Sequence, residues 1–260
     1  MRVADKLKLS LLIAALAIPS LSSQVVLAGE EQRAPPTART SGTLGPQVMR
    51  AISSIQELMT PEDEDDEPDL PAAKEELDEL RERRWNRMND FEKQTLLNFY
   101  TNYWLTLENY PEAILTFEEL LTIEELREDT RLRTLKSLGQ LTAAEERWRD
   151  SIQYYDLWRG VSLEEDDIVY RGLSYAHYQV DELAEAMPYW VSYMEMLLDR
   201  GEVLDRDDYA YLNGLYFQLE DFESALELTK TMVVLFDDQT DWMNLSAVSV
   251  SYTQRRAHET

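Results

Sequence analysis

The chain has 260 residues with 51 acidic and 25 basic side chains, a formal net charge of -26, two His and no Cys. Such a charge repels nucleic-acid phosphates and anionic lipid surfaces, and without Cys there is no disulfide framework, zinc-thiolate site or iron-sulfur cluster. The apolar fraction of 44% is enough to build a core.

Residues 1–28 read as a cleavable signal peptide. Arg2, Lys6 and Lys8 open it, Leu9 to Ile18 form a short apolar run, and Val26-Leu27-Ala28 offers small residues for cleavage after Ala28. Ten apolar residues do not span a bilayer, which needs roughly 20. The expected product is an exported protein with no stable membrane insertion, in a Gram-negative periplasm. Residues 29–45, rich in Pro, Gly, Ser, Thr and charge, are expected to form a disordered leader.

From Pro46 onward apolar residues recur every three or four positions, which predicts helices. Val48, Met49, Ile52, Ile55 and Leu58 mark one amphipathic helix; Ala73, Leu77, Leu80 and Trp85 mark another. An acidic insertion at 61–71 separates them. It offers the carboxylate oxygens that hard cations prefer, but lacks the Gly and the fixed spacing of a Ca²⁺ loop. The expectation is a solvated, self-repelling, disordered segment.

The body then repeats. Leu97, Tyr100, Thr101 and Trp104 are followed by Tyr110, Ala113, Phe117 and Leu120. The same offsets return at Leu135, Leu138, Gly139 and Thr142, then Trp148, Ser151, Tyr155 and Trp158. They return at Tyr170, Leu173, Ser174 and His177, then Leu183, Ala186, Trp190 and Tyr193, and again at Tyr209, Leu212, Asn213 and Tyr216, then Phe222, Ala225, Thr229 and Met232. A fifth copy opens with Trp242, Leu245, Ser246 and Ser249 and stops before a second helix. Each unit reads as two antiparallel helices. Small residues let the backbones approach, and large ones three or four positions away fill the grooves. One pair cannot bury its own apolar face, but a stack of pairs can.

These offsets resemble the tetratricopeptide repeat, whose small-residue and aromatic positions are matched in four units. The resemblance implies an all-α fold: a right-handed α-α superhelix of antiparallel helix pairs, a single helical repeat domain over 46–260 with its last repeat incomplete. On this reading Trp242, Leu245 and Val248 await a partner helix. A narrower resemblance rests on Gly45-Pro46-Gln47-Val48, Asn89-Asp90-Phe91-Glu92-Lys93-Gln94, Asn109-Tyr110-Pro111-Glu112-Ala113-Ile114, Leu212-Asn213-Gly214-Leu215-Tyr216 and Asp241-Trp242-Met243-Asn244-Leu245-Ser246. Together these resemble periplasmic tetratricopeptide-repeat proteins associated with the TonB system, which implies TonB, ExbB or ExbD as protein partners.

No Walker A loop, dinucleotide-binding Gly turn, nucleophile elbow or H-E-x-x-H occurs, so the expectation is a noncatalytic scaffold without cofactor or metal. His177 occupies a repeat core position and reads as a packing residue. Glu164-Glu165-Asp166-Asp167 and Asp205, Asp207 and Asp208 precede first helices of repeats, where negative charge complements the helix dipole. Arg81, Arg83, Arg84 and Arg87 cluster in one helix and are expected to pair with carboxylates of the same chain. Repeat arrays bind on the face lined by first helices, which nominates Asn98, Asn102, Lys136, Gln140, Arg171, Tyr175, Tyr211 and Gln218. The alternative to a TonB association is an envelope-assembly or cell-wall-enzyme adaptor using the same groove. An acid-pair hydrolase is a third and weaker reading.

Overall fold

The computed structural model describes residues 42–61 and 67–259. Residues 1–28, expected to be a signal peptide, most of the expected leader and the centre of the acidic insertion lie outside the described residues. Eleven α-helices and one 3₁₀ turn make up the described chain, and no strand occurs among them. The helices are α1 (Pro46–Met59), α2 (Leu70–Arg84), α3 (Asp90–Thr106), α4 (Tyr110–Leu121), α5 (Glu128–Ala144), α6 (Trp148–Val161), α7 (Asp167–Gln179), α8 (Leu183–Asp199), α9 (Arg206–Gln218), α10 (Phe222–Phe236) and α11 (Gln239–Glu259). The 3₁₀ turn, Trp85–Arg87, follows α2.

Contacts group the described chain into two compact units, with the division between Val180 and Asp181. The boundary falls inside the third repeat read from the sequence. In the first unit, Val48, Ile52, Ile55 and Met59 of α1 meet Ala73, Leu77 and Leu80 of α2 and Leu96, Tyr100 and Tyr103 of α3. A second cluster joins Leu97 to Leu120, Ile123 and Leu126. Each fully buried Leu contributes about 2 kcal/mol of apolar burial. Within each unit, neighbouring helices pack in chain order, and the small positions are where the repeat pattern puts them: Ala113, Ser151, Ala186 and Ala225 have no exposed surface. Ser151 Oγ also donates to the Gly139 carbonyl at 2.8 Å, which fixes α6 against α5.

The helix starts follow from their side chains. Asn89 and Glu92 form a capping box on α3, and Asp205 and Asp208 form one on α9. Asp69, Asn109, Asp166 and Asp221 each accept a backbone N–H in the first turn of α2, α4, α7 and α10. The acidic runs before α7 and α9 thus act as caps. Tight turns end α3, α5 and α9 with a left-handed acidic residue, at Glu108, Glu146 and Glu220, and Asp181 before α8 has the same conformation.

Several boundaries differ from the sequence reading. Residues 42–45, counted with the leader, are held by α3: Gly45 N–H donates to Glu92 Oε1 at 2.8 Å, and the Asn89 amide donates to the Thr43 carbonyl. Leu70 and Pro71, counted with the insertion, are the first turn of α2, because Asp69 caps it and proline is tolerated there. In α11, Val248 is already buried within its unit, while Trp242 is 52% exposed. No described helix is long and apolar enough to cross a membrane.

Candidate functional site

The nominated residues fall on the first helices of the repeats. Asn98 and Asn102 stand one turn apart on α3 and both are exposed, while the intervening Tyr100 and Thr101 turn into the core. Lys136 and Gln140 have the same spacing on α5, and Arg171 and Tyr175 have it on α7. A spacing of four residues sets each pair on one face of its helix. These three helices belong to the first unit. The Gln94 amide of α3 reaches Thr130 Oγ1 of α5 at 3.3 Å, and α5 packs against α7. The three pairs are therefore carried by successive neighbouring helices.

Their chemistry differs. Asn98, Asn102 and Gln140 present amides to solvent. Lys136 is engaged: its ammonium lies 2.7 Å from Asp166 Oδ2, with both side chains largely covered. Since Asp166 also caps α7, Lys136 fastens α5 to the start of α7. Arg171 is exposed on α7, and its charge acts on the phenol of Tyr155 beneath it. That phenol is nevertheless pushed up to about 12, chiefly by burial and further by Asp166, with Arg171 opposing. Tyr175 is 46% exposed and meets Trp148 edge-on at 5.7 Å between ring centroids.

Tyr211 and Gln218 lie on α9, in the second unit. Tyr211 is half-buried, its ring tilted over Trp190 of α8 at a centroid distance of 4.1 Å. Trp190 also donates its indole N–H to the Asp208 carbonyl at 2.9 Å. Tyr211 therefore cements α8 to α9 as well as facing outward. Gln218 is exposed at the last position of α9. His177 is buried in α7 at its repeat core position, whereas the side chain of His258 lies outside the described residues. Among the described residues, no three His, Asp or Glu side chains converge in a way that could hold a metal ion.

The arginine cluster divides. Arg81 grips Glu119 of α4 with Nη2 at 2.6 and 2.9 Å from the two carboxylate oxygens, and its guanidinium lies over the rings of Trp85 and Tyr100. Arg83 pairs with Glu79 one turn back. Among the described residues, Arg84 and Arg87 have no carboxylate within ion-pair distance. Both line a pocket at the start of α1, together with Arg50. The sequence places the basic run correctly but not this third guanidinium, which lies more than thirty residues earlier on another helix.

No protein-family model matches the chain, and neither does any curated protein. Solved structures match its fold. YrrB, a tetratricopeptide-repeat protein with an unusual peptide-binding site, is 20% identical over 76% of this chain and 87% of its own, with a TM-score of 0.50. A segment of MamA from Desulfovibrio magneticus is 14% identical over 76% of this chain and 99% of its own, at 0.51. A tetratricopeptide-repeat protein from Parabacteroides merdae is 10% identical over 82% of this chain and 76% of its own, at 0.51. At these identities the likeness is one of fold, and the fold of this chain is the all-α fold of tetratricopeptide-repeat proteins.

Proposed function

We propose that this protein is a noncatalytic scaffold that binds segments of other proteins along the exposed faces of its first helices. One observation carries this reading: α3, α5 and α7 bury their apolar and small residues yet keep Asn98, Asn102, Gln140, Arg171 and Tyr175 exposed, on neighbouring helices. Amides there suit an extended peptide backbone, and Tyr and Arg are frequent binding anchors. The peptide-binding site named for YrrB, which shares the fold, supports the same use here. With a net charge of -26, the surface field favours basic or mixed-charge segments.

The finer proposal is that the protein is exported to a periplasm and serves the TonB–ExbB–ExbD assembly that energises outer-membrane transport. It rests on the signal-like residues 1–28 and on the sequence resemblance. The test is in-cell crosslinking followed by mass spectrometry, with and without iron limitation. Enrichment of TonB, ExbB or ExbD, reduced by an Arg171→Ala/Tyr175→Ala variant, is the expected result. Specific capture of cell-wall or outer-membrane assembly proteins instead would replace the TonB assignment by the adaptor reading.

A further inference from the structure

We propose that the pocket between the start of α1 and the end of α2 binds a phosphate group, free or carried on a small organic ester. The pocket has a volume of about 370 Å³. Three arginines line it from three separate elements: Arg50 from α1, Arg84 from α2 and Arg87 from the 3₁₀ turn. In a chain with twice as many acidic as basic side chains, such a convergence needs a cause.

Among the described residues, carboxylates do not supply one. Among the described residues, none forms an ion pair with Arg50, Arg84 or Arg87. The pocket wall holds a single carboxylate, Glu92, and it is buried and committed elsewhere. Its Oε1 accepts the Gly45 N–H at 2.8 Å and its Oε2 accepts the Asn89 N–H at 3.0 Å. The described residues that flank the acidic insertion stand at the other end of α1. Helix α1 ends at Met59 and α2 begins at Leu70, whereas the pocket lies at the start of α1, fourteen residues or about 20 Å from Met59.

The donor count selects the ligand. Arg50 gives its Nε–H to the Pro46 carbonyl at 3.2 Å, but its terminal nitrogens together with the forks of Arg84 and Arg87 still offer more donors than the two oxygens of a carboxylate can accept. A phosphate has three terminal oxygens and up to two negative charges, which matches a three-arginine site. The first turn of α1 adds to this: no side chain caps it, and Gln47 and Val48 face the pocket from that turn. The remaining wall is apolar, from Pro46, Val48 and Met88, and it gives an organic ester a surface to rest on.

The test is isothermal titration calorimetry of the full chain with inorganic phosphate, phenyl phosphate and benzoate, at low ionic strength. The expected result is saturable binding of both phosphates, stronger for phenyl phosphate if the apolar wall takes part, and much weaker binding of benzoate. Arg84→Gln/Arg87→Gln and, separately, Arg50→Gln should each weaken phosphate binding by at least about tenfold, the effect of losing one charge-assisted contact. Lys230→Gln, an exposed position on α10, should leave it unchanged. Circular-dichroism melts that overlay the parent confirm that each variant folds. Three results would overturn the proposal: no saturable phosphate binding at millimolar concentrations, binding that survives all the arginine substitutions, or benzoate binding equal to that of phenyl phosphate.

Discussion

The ring of Tyr155 fills the space that a Cβ on Gly172 would need, since such an atom would stand 2.6 Å from the ring carbons and the phenol oxygen. The other ring edge does the same to Gly139, at 2.5 Å. One aromatic side chain from α6 is thus clasped by glycines on α5 and α7. Glycine is a poor helix former, costing about 1 kcal/mol against Ala, so its presence in both helices reflects this contact. With only 2% of Tyr155 exposed, the ring has nowhere to go. Gly172→Ala should therefore lose about 1 to 2 kcal/mol, overpacking outweighing the propensity gain. Gly214 of α9 has nothing within 4 Å of an added Cβ, and Gly214→Ala should gain up to about 1 kcal/mol. Urea melts of the two variants should move in opposite directions. A stabilised Gly172→Ala would show that the ring yields.

The turns that follow α3, α5 and α9 conceal a second strain. Glu108, Glu146 and Glu220 have φ of 54°, 56° and 58°, a region that costs an L-residue roughly 1 kcal/mol or more. The turn is held by backbone bonds such as Asp221 N–H to the Tyr216 carbonyl at 2.9 Å, a helix-ending motif that usually carries Gly. Glu220→Gly should stabilise by about 0.5 kcal/mol once the greater freedom of the unfolded chain is subtracted. Glu220→Gln separates charge from conformation. If Gln gains as much as Gly, the benefit comes from removing a carboxylate, and the backbone argument fails.

Much of this arrangement is legible in the sequence because it is periodic. Ala113, Ser151, Ala186 and Ala225 recur at matched offsets, and each is fully buried. The left-handed turns follow the same register, with 38, 35 and 39 residues separating Glu108, Glu146, Asp181 and Glu220. They go unread because acidic residues stand where Gly would announce them. What the sequence does not disclose is pairing across helices. Lys136 looks like a free cation on a binding face, but Asp166, thirty residues later, holds it. Tyr211 looks like an exposed anchor, but its ring packs on Trp190 at 4.1 Å. Arg84 and Arg87 look like their neighbours Arg81 and Arg83, which meet Glu119 and Glu79, yet among the described residues they line a pocket instead. Such outcomes depend on which helices adjoin, and spacing within one helix does not encode that.

In the second unit, α9 and α11 are joined by Arg206 and Asp241. The carboxylate has no exposed surface, and the guanidinium meets it at 2.7 and 3.1 Å while remaining about one-third exposed. Hydrogen bonding to Asp241 and its charge hold the Arg206 guanidinium above its ordinary range. Removing one partner of a fully buried pair costs about 3 to 5 kcal/mol. Because water reaches one side here, Arg206→Met is expected to cost about 2 kcal/mol. Arg206→Met/Asp241→Leu should recover part of that loss. A double variant no more stable than Arg206→Met alone would mean that the stranded carboxylate is not the source of the cost.

In the first unit, Asp78 gives a pH dependence with a definite sign. Burial raises its carboxyl, but hydrogen bonds from Lys74 and Tyr100 and the charges of Lys74 and Arg81 outweigh it, so the group sits below the usual carboxylate range. The Tyr100 hydroxyl donates at 2.7 Å and the Lys74 ammonium at 2.6 Å, tying α2 to α3. A lowered carboxyl favours the folded state at every pH above its unfolded value of about 3.9, and that contribution vanishes as pH falls through the lower folded value. Asp78 is about half exposed, so solvent screening keeps the effect below about 1 kcal/mol. The stability gap between the parent and Asp78→Asn should accordingly be level from pH 7 down to about 5 and close below about pH 4. Urea melts across that range measure it. A gap that widens on acidification would reverse the assignment, because it would require a carboxyl held above its unfolded value.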